Sequence, residues 1–284
     1  MLKPLFKWTG GKRREIKIFS EYYPDIINNN FTLVEPFLGG GAVYWEMQAP
    51  NNIINDIDKD LINFLQQVKE RPDDIIESIS NIGDELTMIT EQEKLGKYTI
   101  AEAKKLRGEY YYHWRNLDRL DEEMNDFQRA CRFFIVNQLA FNGMRRFNKK
   151  GQFNVPYGNY KHLNFNITKE HIDILQRTEI LCKDYKDVMK ENDNEDCFIY
   201  LDPPYTREFK EYNHGNVFGF NDQIELLETF KSMKKAKVML IINKDSFTQD
   251  VYKDYIKSEY SLKYATNIKN RFDQGVKHLI ITNY

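Results

Sequence analysis

The chain has 284 residues, 41% hydrophobic and 30% charged, with a formal net charge of −2. That length holds one large domain, or a domain plus an insertion, with a substantial core. No apolar run approaches bilayer-spanning length, and Met1 to Lys7 lacks the apolar stretch of a secretory signal. Cys131, Cys182 and Cys197 are odd in number, widely spaced and form no Cys-x-x-Cys pair, so neither a disulfide framework nor a metal site is indicated. The expectation is a cytoplasmic protein with free thiols, no membrane attachment and no obligate protein partner.

In chain order, Lys7-Trp8-Thr9-Gly10-Gly11-Lys12 comes first. It lacks the spacing of a phosphate-binding loop, and Trp8 reads either as a core anchor or as a contact for the methionine end of a sulfonium cofactor, together with Lys12. Phe31 to Glu35 is strand-like and runs into Pro36-Phe37-Leu38-Gly39-Gly40-Gly41, then into the helix-compatible Ala42 to Gln48. Asn52 to Asn55 is a second strand, closing on Asp56. Strand, glycine loop, helix, strand and acid form the opening half of a nucleotide-binding α/β sheet. The glycines let backbone approach a ligand at a helix N-terminus, and the acid accepts ribose hydroxyls. This half leaves NAD and S-adenosylmethionine both open, although the triplet departs from GxGxxG.

From about Leu61 to Phe134 the pattern is helical, with Leu61, Ile62, Phe64, Leu65 and Val68 forming an apolar stripe. Phe127 to Lys169 contains no Asp or Glu but holds Arg129, Arg132, Arg145, Arg146, Lys149, Lys150, Lys161 and Lys169. Phe141, Phe147, Phe153, Tyr157 and Tyr160 are interleaved with that charge, as are Asn142, Asn148, Asn154 and Asn159. Phosphate neutralisers alternating with stacking rings and base-edge hydrogen bonders point to a positive surface for nucleic acid. Glu179 to Cys182 is the next strand, followed by Asp184, which is either a partner for an adenine amine or an ordinary loop acid.

The buried-strand pattern Cys197-Phe198-Ile199-Tyr200-Leu201 then breaks into Asp202-Pro203-Pro204-Tyr205. Neither proline donates a backbone hydrogen bond, so the turn presents a carboxylate, free carbonyls and an aromatic ring at a strand's carboxyl end. That set suits methylation of a planar exocyclic amine. Asp202 and the Pro203 carbonyl would accept its two hydrogens while Tyr205 stacks on its ring. Thr206 to Gln223, with Phe209, Tyr212, Phe218 and Phe220, reads as an active-site lid. Strand patterns resume at Val238 to Ile242 and His278 to Thr282.

These motifs, taken with Glu35-Pro36-Phe37, Asn55-Asp56, Phe141-Asn142-Gly143-x-x-Arg146-Phe147-Asn148 and Gly151-x-Phe153-Asn154-Val155-Pro156-Tyr157-Gly158, resemble the Dam family of DNA adenine N6-methyltransferases. They stand in that family's order: cofactor loop, target-recognition insertion, catalytic tetrapeptide. The resemblance implies a Rossmann-like S-adenosylmethionine-dependent domain, 1–60 with 166–284, and a helical target-recognition insertion, 61–165, carrying a basic β-hairpin. It implies double-stranded DNA as partner and GATC as the site. Asp202, Pro203, Pro204 and Tyr205 are the implied catalytic set. Trp8, Lys12, Glu35, Phe37, Gly39, Gly41, Asp56, Asp184 and Asp202 are assigned to the cofactor. Lys7, Phe141, Asn142, Met144, Arg146, Asn148, Pro156 and Tyr160 are assigned to DNA, with Phe141 and Asn142 entering the stack beside the target base. Gln138 and Asn159 stand where GATC-reading relatives carry arginines that look like phosphate contacts, and Met144 replaces a leucine. The rival readings are a methyltransferase acting on an amine of RNA or of a protein glutamine, and a DNA-binding regulator that has lost catalysis.

Overall fold

A computed structural model of the chain describes residues 2–28, 30–120, 123–204, 218–261 and 277–284. Tyr205 and most of the expected lid lie outside the described residues. The chain opens with the short helix α1 (Ile16–Phe19), then β1 (Thr32–Glu35), α2 (Ala42–Met47) and β2 (Asn51–Asn55). Five helices follow: α3 (Lys59–Glu70), α4 (Pro72–Lys94), α5 (Ile100–Asn116), α6 (Asp126–Leu139) and α7 (Lys169–Gln176). Alternation then resumes with β3 (Thr178–Leu181), α8 (Tyr185–Glu191), β4 (Cys197–Leu201), α9 (Phe220–Ser232), β5 (Lys237–Asn243), α10 (Ser246–Val251), β6 (Ile256–Ser261) and β7 (Lys277–Thr282). No helix among the described residues is long and apolar enough to cross a membrane.

The strands form one seven-stranded sheet in the order β3-β2-β1-β4-β5-β7-β6. Neighbours from β3 to β5 are parallel, and β7 runs antiparallel to both β5 and β6. Every residue of β4 is buried, as a strand covered on both faces requires. Successive side chains go to opposite faces. Leu33, Phe198, Tyr200, Met239 and Ile241 pack with α2, α3 and α7, whereas Val34, Ile199, Leu201, Val238, Leu240 and Ile242 pack with α8 and α9. A third cluster joins Leu86 of α4 and Tyr110 and Tyr111 of α5 to Phe153 and Val155. Helix α6 serves two cores, sending Phe133 and Phe134 to the sheet and Ile135, Val136 and Leu139 to the third cluster. Helix α3 packs on the sheet through Leu61, Phe64, Leu65 and Val68.

Two features differ from the sequence reading. Strand β6 was not expected, because as an edge strand it buries only Tyr260 and shows little apolar patterning. The expected β-hairpin is reduced to two isolated antiparallel bridges, Ala140–Tyr157 and Phe147–Phe153. Side chains from around α5 take up its backbone groups in place of a ladder. Tyr111 Oη and Arg115 donate to the Val155 carbonyl at 2.9 and 3.3 Å, and the Phe153 N–H donates to Asp118 at 2.8 Å.

Candidate active site

Strand β1 lies between β2 and β4, and the chain leaves it in one direction toward β2 and β3 and in the other toward β4 and β5. Ligands bind at such a switch point, outside the carboxyl ends of the strands. There the chain encloses a cavity of about 310 Å3, walled by the 8–12 segment, the Pro36–Gly41 loop, Asn55 to Asp58 and Asp202 to Pro204. Buried Asn55 holds three strand ends together. Its amide nitrogen donates to the Pro36 carbonyl at 2.9 Å and the Lys183 carbonyl at 3.1 Å, while its oxygen accepts from Lys183 N–H at 2.7 Å.

Asp56 is the electrostatic centre of one wall. Its carboxylate accepts the Gly39 N–H at 2.9 Å and the Asp58 N–H at 3.0 Å. Burial, helped by the charge of Asp58, pushes its pKa up to about 6, against those hydrogen bonds and Arg145. Gly39 has φ +49°, and a Cβ there would stand 2.8 Å from the Trp8 indole nitrogen, so glycine is what lets Trp8 lie on the loop. Phe37 packs on Tyr185 with ring centres 4.7 Å apart. Asp184 lines the same cavity and caps α8 by accepting the Lys186 N–H at 2.9 Å.

At the opposite wall, Lys12 Nζ bridges both oxygens of Asp202 at 2.7 and 2.9 Å. Lys12 is buried, whereas the Asp202 side chain retains 21% exposure toward the cavity. Burial pushes the Asp202 carboxyl up, and Lys12 opposes it. Glu35, at the end of β1, is buried with Oε1 unpartnered, and desolvation holds its carboxyl well above the usual range. Asp202, Pro203 and Pro204, Lys12, Trp8, Glu35, Phe37, Gly39, Gly41, Asp56 and Asp184 therefore converge on one space.

The residues expected at DNA lie beyond Gly143, which also borders the cavity. Gly143 has φ +63°, and a Cβ there would meet the Lys7 side chain at 2.4 Å, so this loop crosses directly over Lys7. Lys7 Nζ donates to the Gln138 carbonyl at 2.6 Å and sits 3.4 Å from the Tyr160 ring centre; burial lowers its pKa to about 8. Phe141 is 49% exposed, and Asn142 beside it is exposed with φ +54°. The Pro156 carbonyl accepts the Phe141 N–H at 2.9 Å, which closes the base of the loop. Met144 is half-buried, and Arg146 Nε donates to Asn154 Oδ1 at 2.8 Å. The Asn148 side-chain oxygen accepts the Lys150 and Gln152 N–H groups, so it is committed to the turn.

The positive charge read from Phe127 to Lys169 is partly neutralised by ion pairs, and two of the paired arginines turn inward. Arg132 pairs with Asp118 at 2.9 Å and Arg145 with Asp58 at 2.6 Å, both largely buried, whereas exposed Lys161 pairs with Glu93 at 2.6 Å and exposed Arg129 with Asp126. All four acids lie outside the acid-free stretch, and the first three are too far away in the chain for sequence proximity to reveal the pairing. Lys149, Lys150 and Lys169 remain exposed. Gln138 is buried, so the side chain is no replacement for a phosphate contact. The sequence reading also passed over Asp58 and Arg145 as parts of the cavity wall. A second acid two residues after Asp56 was the only available hint.

An open α/β sheet with a glycine loop, a part-buried acid just past the next strand and an Asp-Pro-Pro turn across the cleft has the arrangement of a nucleotide-binding α/β fold. The model of the D12 class N6 adenine-specific DNA methyltransferases matches residues 8–268. The Type II methyltransferase M1.LlaDCHI of Lactococcus lactis subsp. cremoris is 31% identical over all of this chain and 96% of its own. M.CviBI of Paramecium bursaria Chlorella virus NC1A is 30% identical over the full length of both. A DNA adenine methylase of Haemophilus influenzae is 32% identical over 88% of this chain and 82% of its own. The chain belongs to the D12 class of adenine-specific DNA N6-methyltransferases. Membership implies S-adenosylmethionine as methyl donor and DNA as substrate.

Proposed function

We propose that this enzyme flips an adenine out of duplex DNA and transfers a methyl group to its N6 within GATC sites. The observation that carries the chemistry is the Lys12–Asp202 pair, set at the end of β4 across one cavity from the Gly39–Asp56 contact. The residues fit a nucleoside sulfonium: backbone approaches closely at Gly39, Asp56 offers a part-buried acceptor for ribose hydroxyls, and Glu35 has an unpartnered oxygen in the wall. Trp8, Lys12, Phe37, Gly41 and Asp184 complete the proposed cofactor set.

Bound S-adenosylmethionine supplies an electrophilic methyl group. Asp202 and the Pro203 carbonyl accept the two hydrogens of the target amine and fix its lone pair in line for transfer. Each carboxylate oxygen has two acceptor sites. Lys12 Nζ donates to both oxygens and so holds the carboxylate in place at the end of β4. As positive charge grows on N6, these acceptors bind more strongly than in the ground state, which is what lowers the barrier. Tyr205 is the proposed stacking partner of the flipped base, and no covalent enzyme intermediate is required.

Exposed Phe141 and Asn142 are suited to fill the space that the flipped base leaves. Lys7, Met144, Arg146 and Pro156 are the proposed base readers, with Asn148 shaping the turn and Tyr160 backing Lys7. In this reading 61–165 is the recognition insertion, and the packing of α3 on the sheet makes its first helix a shared wall. The GATC assignment rests on the family resemblance of the loop.

The test of the chemistry is Asp202→Ala. It should abolish methyl transfer while duplex binding persists, because the side chain touches the amine and not the phosphates. A fully active Asp202→Ala enzyme would refute the mechanism.

A further inference from the structure

Met144, Arg145 and Arg146 are consecutive on the recognition loop, and the middle one turns inward. Arg145 retains 9% side-chain exposure and pairs with Asp58 at 2.6 Å and with Asp60 at 3.6 Å. Its guanidinium carbon lies 4.9, 5.4 and 5.9 Å from the ring centres of Phe133, Phe147 and Trp8. Asp58 also caps α3, accepting the Asp60 and Leu61 N–H groups at 3.1 Å each. Its own N–H donates to Asp56, which in turn accepts the Gly39 N–H. An unbroken line of bonds thus runs from the glycine loop through Asp56, Asp58 and Arg145 to the backbone between Met144 and Arg146. Gly39, Asp56, Asp58 and Arg145 all face the cavity.

We propose that Arg145 is a positioning residue that couples the cofactor pocket to the recognition loop, so that filling the pocket tightens duplex binding. The inference rests on the functional reading above. A ligand that hydrogen-bonds Asp56 fixes the carboxylate that holds the Asp58 N–H, and Asp58 holds Arg145, so a filled pocket steadies the loop. The guanidinium reaches its carboxylate partners while its carbon lies over aromatic rings, a combination that an ammonium does not reproduce. Linkage requires the effect to be reciprocal: DNA must tighten cofactor binding by the same factor.

The experiment uses the full chain, S-adenosylhomocysteine as probe and a fluorescent GATC duplex at fixed salt. The duplex Kd is measured with and without saturating probe, and the probe Kd with and without duplex. The wild type should show a coupling factor of about fivefold or more, equal in both directions. Arg145→Met should bring the factor to about one, with Arg145→Lys in between; the ratio is independent of how far either separate affinity falls. Should Arg145→Met fail to fold, Asp58→Asn, which keeps a good helix cap, must lower the factor. An unchanged factor in the variants, or a wild type that binds probe and duplex independently, overturns the coupling alone. A wild type that binds neither overturns the functional reading, and the coupling with it.

Discussion

Replacing Lys12 with Met isolates the ion pair on which the proposed chemistry depends. The substitution keeps an apolar stem in a buried slot and removes the charge that bridges Asp202 at 2.7 and 2.9 Å. Stranding one member of a fully buried pair costs about 3–5 kcal/mol, and the partial exposure of Asp202 reduces this to roughly 1–3 kcal/mol. Melting should therefore fall by roughly 2–10 °C. The catalytic effect has a separate signature. Lys12 opposes the upward push of burial on the Asp202 carboxyl, so its loss raises that carboxyl further. A raised acid is ionised only at higher pH, and only the ionised form can accept from the amine at either oxygen without a competing proton. Single-turnover methyl transfer at saturating cofactor and DNA should drop by about 10²–10³ near neutrality. It should then climb with pH where the wild type is flat. A variant with near-wild-type turnover and the same flat profile would refute the reasoning.

Three further outcomes are expected. Asp56, pushed up to about 6, should be the ionised acceptor in the bound state. S-adenosylhomocysteine affinity should then be level above pH 7 and weaken by about tenfold by pH 5, where most of the carboxyl is protonated; titration calorimetry would show the slope vanish in Asp56→Asn. Gly39→Ala places a Cβ 2.8 Å from the Trp8 indole nitrogen at a left-handed φ, so it should weaken the same probe by about tenfold or more while circular dichroism shows the fold retained. Arg146→Ala should relax base preference in competition binding, whereas Lys149→Ala should weaken every sequence alike and reduce the salt slope by about one.

The parallel strands were legible because a strand covered on both faces is a short unbroken apolar run, as Cys197 to Leu201 shows. The glycine loop, Asp56 and the Asp202 turn were legible because each needs particular residue types at a strand end. Direction was not legible. Charge sign can be read from Arg132, Arg145 and Lys161, but whether that charge is already paired depends on acids far away in the chain: Asp118, Asp58 and Glu93. Gln138 illustrates the same limit, since its burial follows from the crossing of the 5–8 segment over α6. Edge strand β6 lacks a two-sided apolar run, and the 140–157 loop satisfies its backbone through side chains of α5 and its flank, so neither left a periodic trace.

The most direct measurement is transfer of tritiated methyl from S-adenosylmethionine to two duplexes that differ only in carrying GATC or GTTC. The account expects label on the GATC duplex alone, recovered as N6-methyladenine after digestion. Equal label on both would contradict the assigned site, and no label on either, with cofactor bound, would contradict the central claim that this chain methylates adenine in DNA.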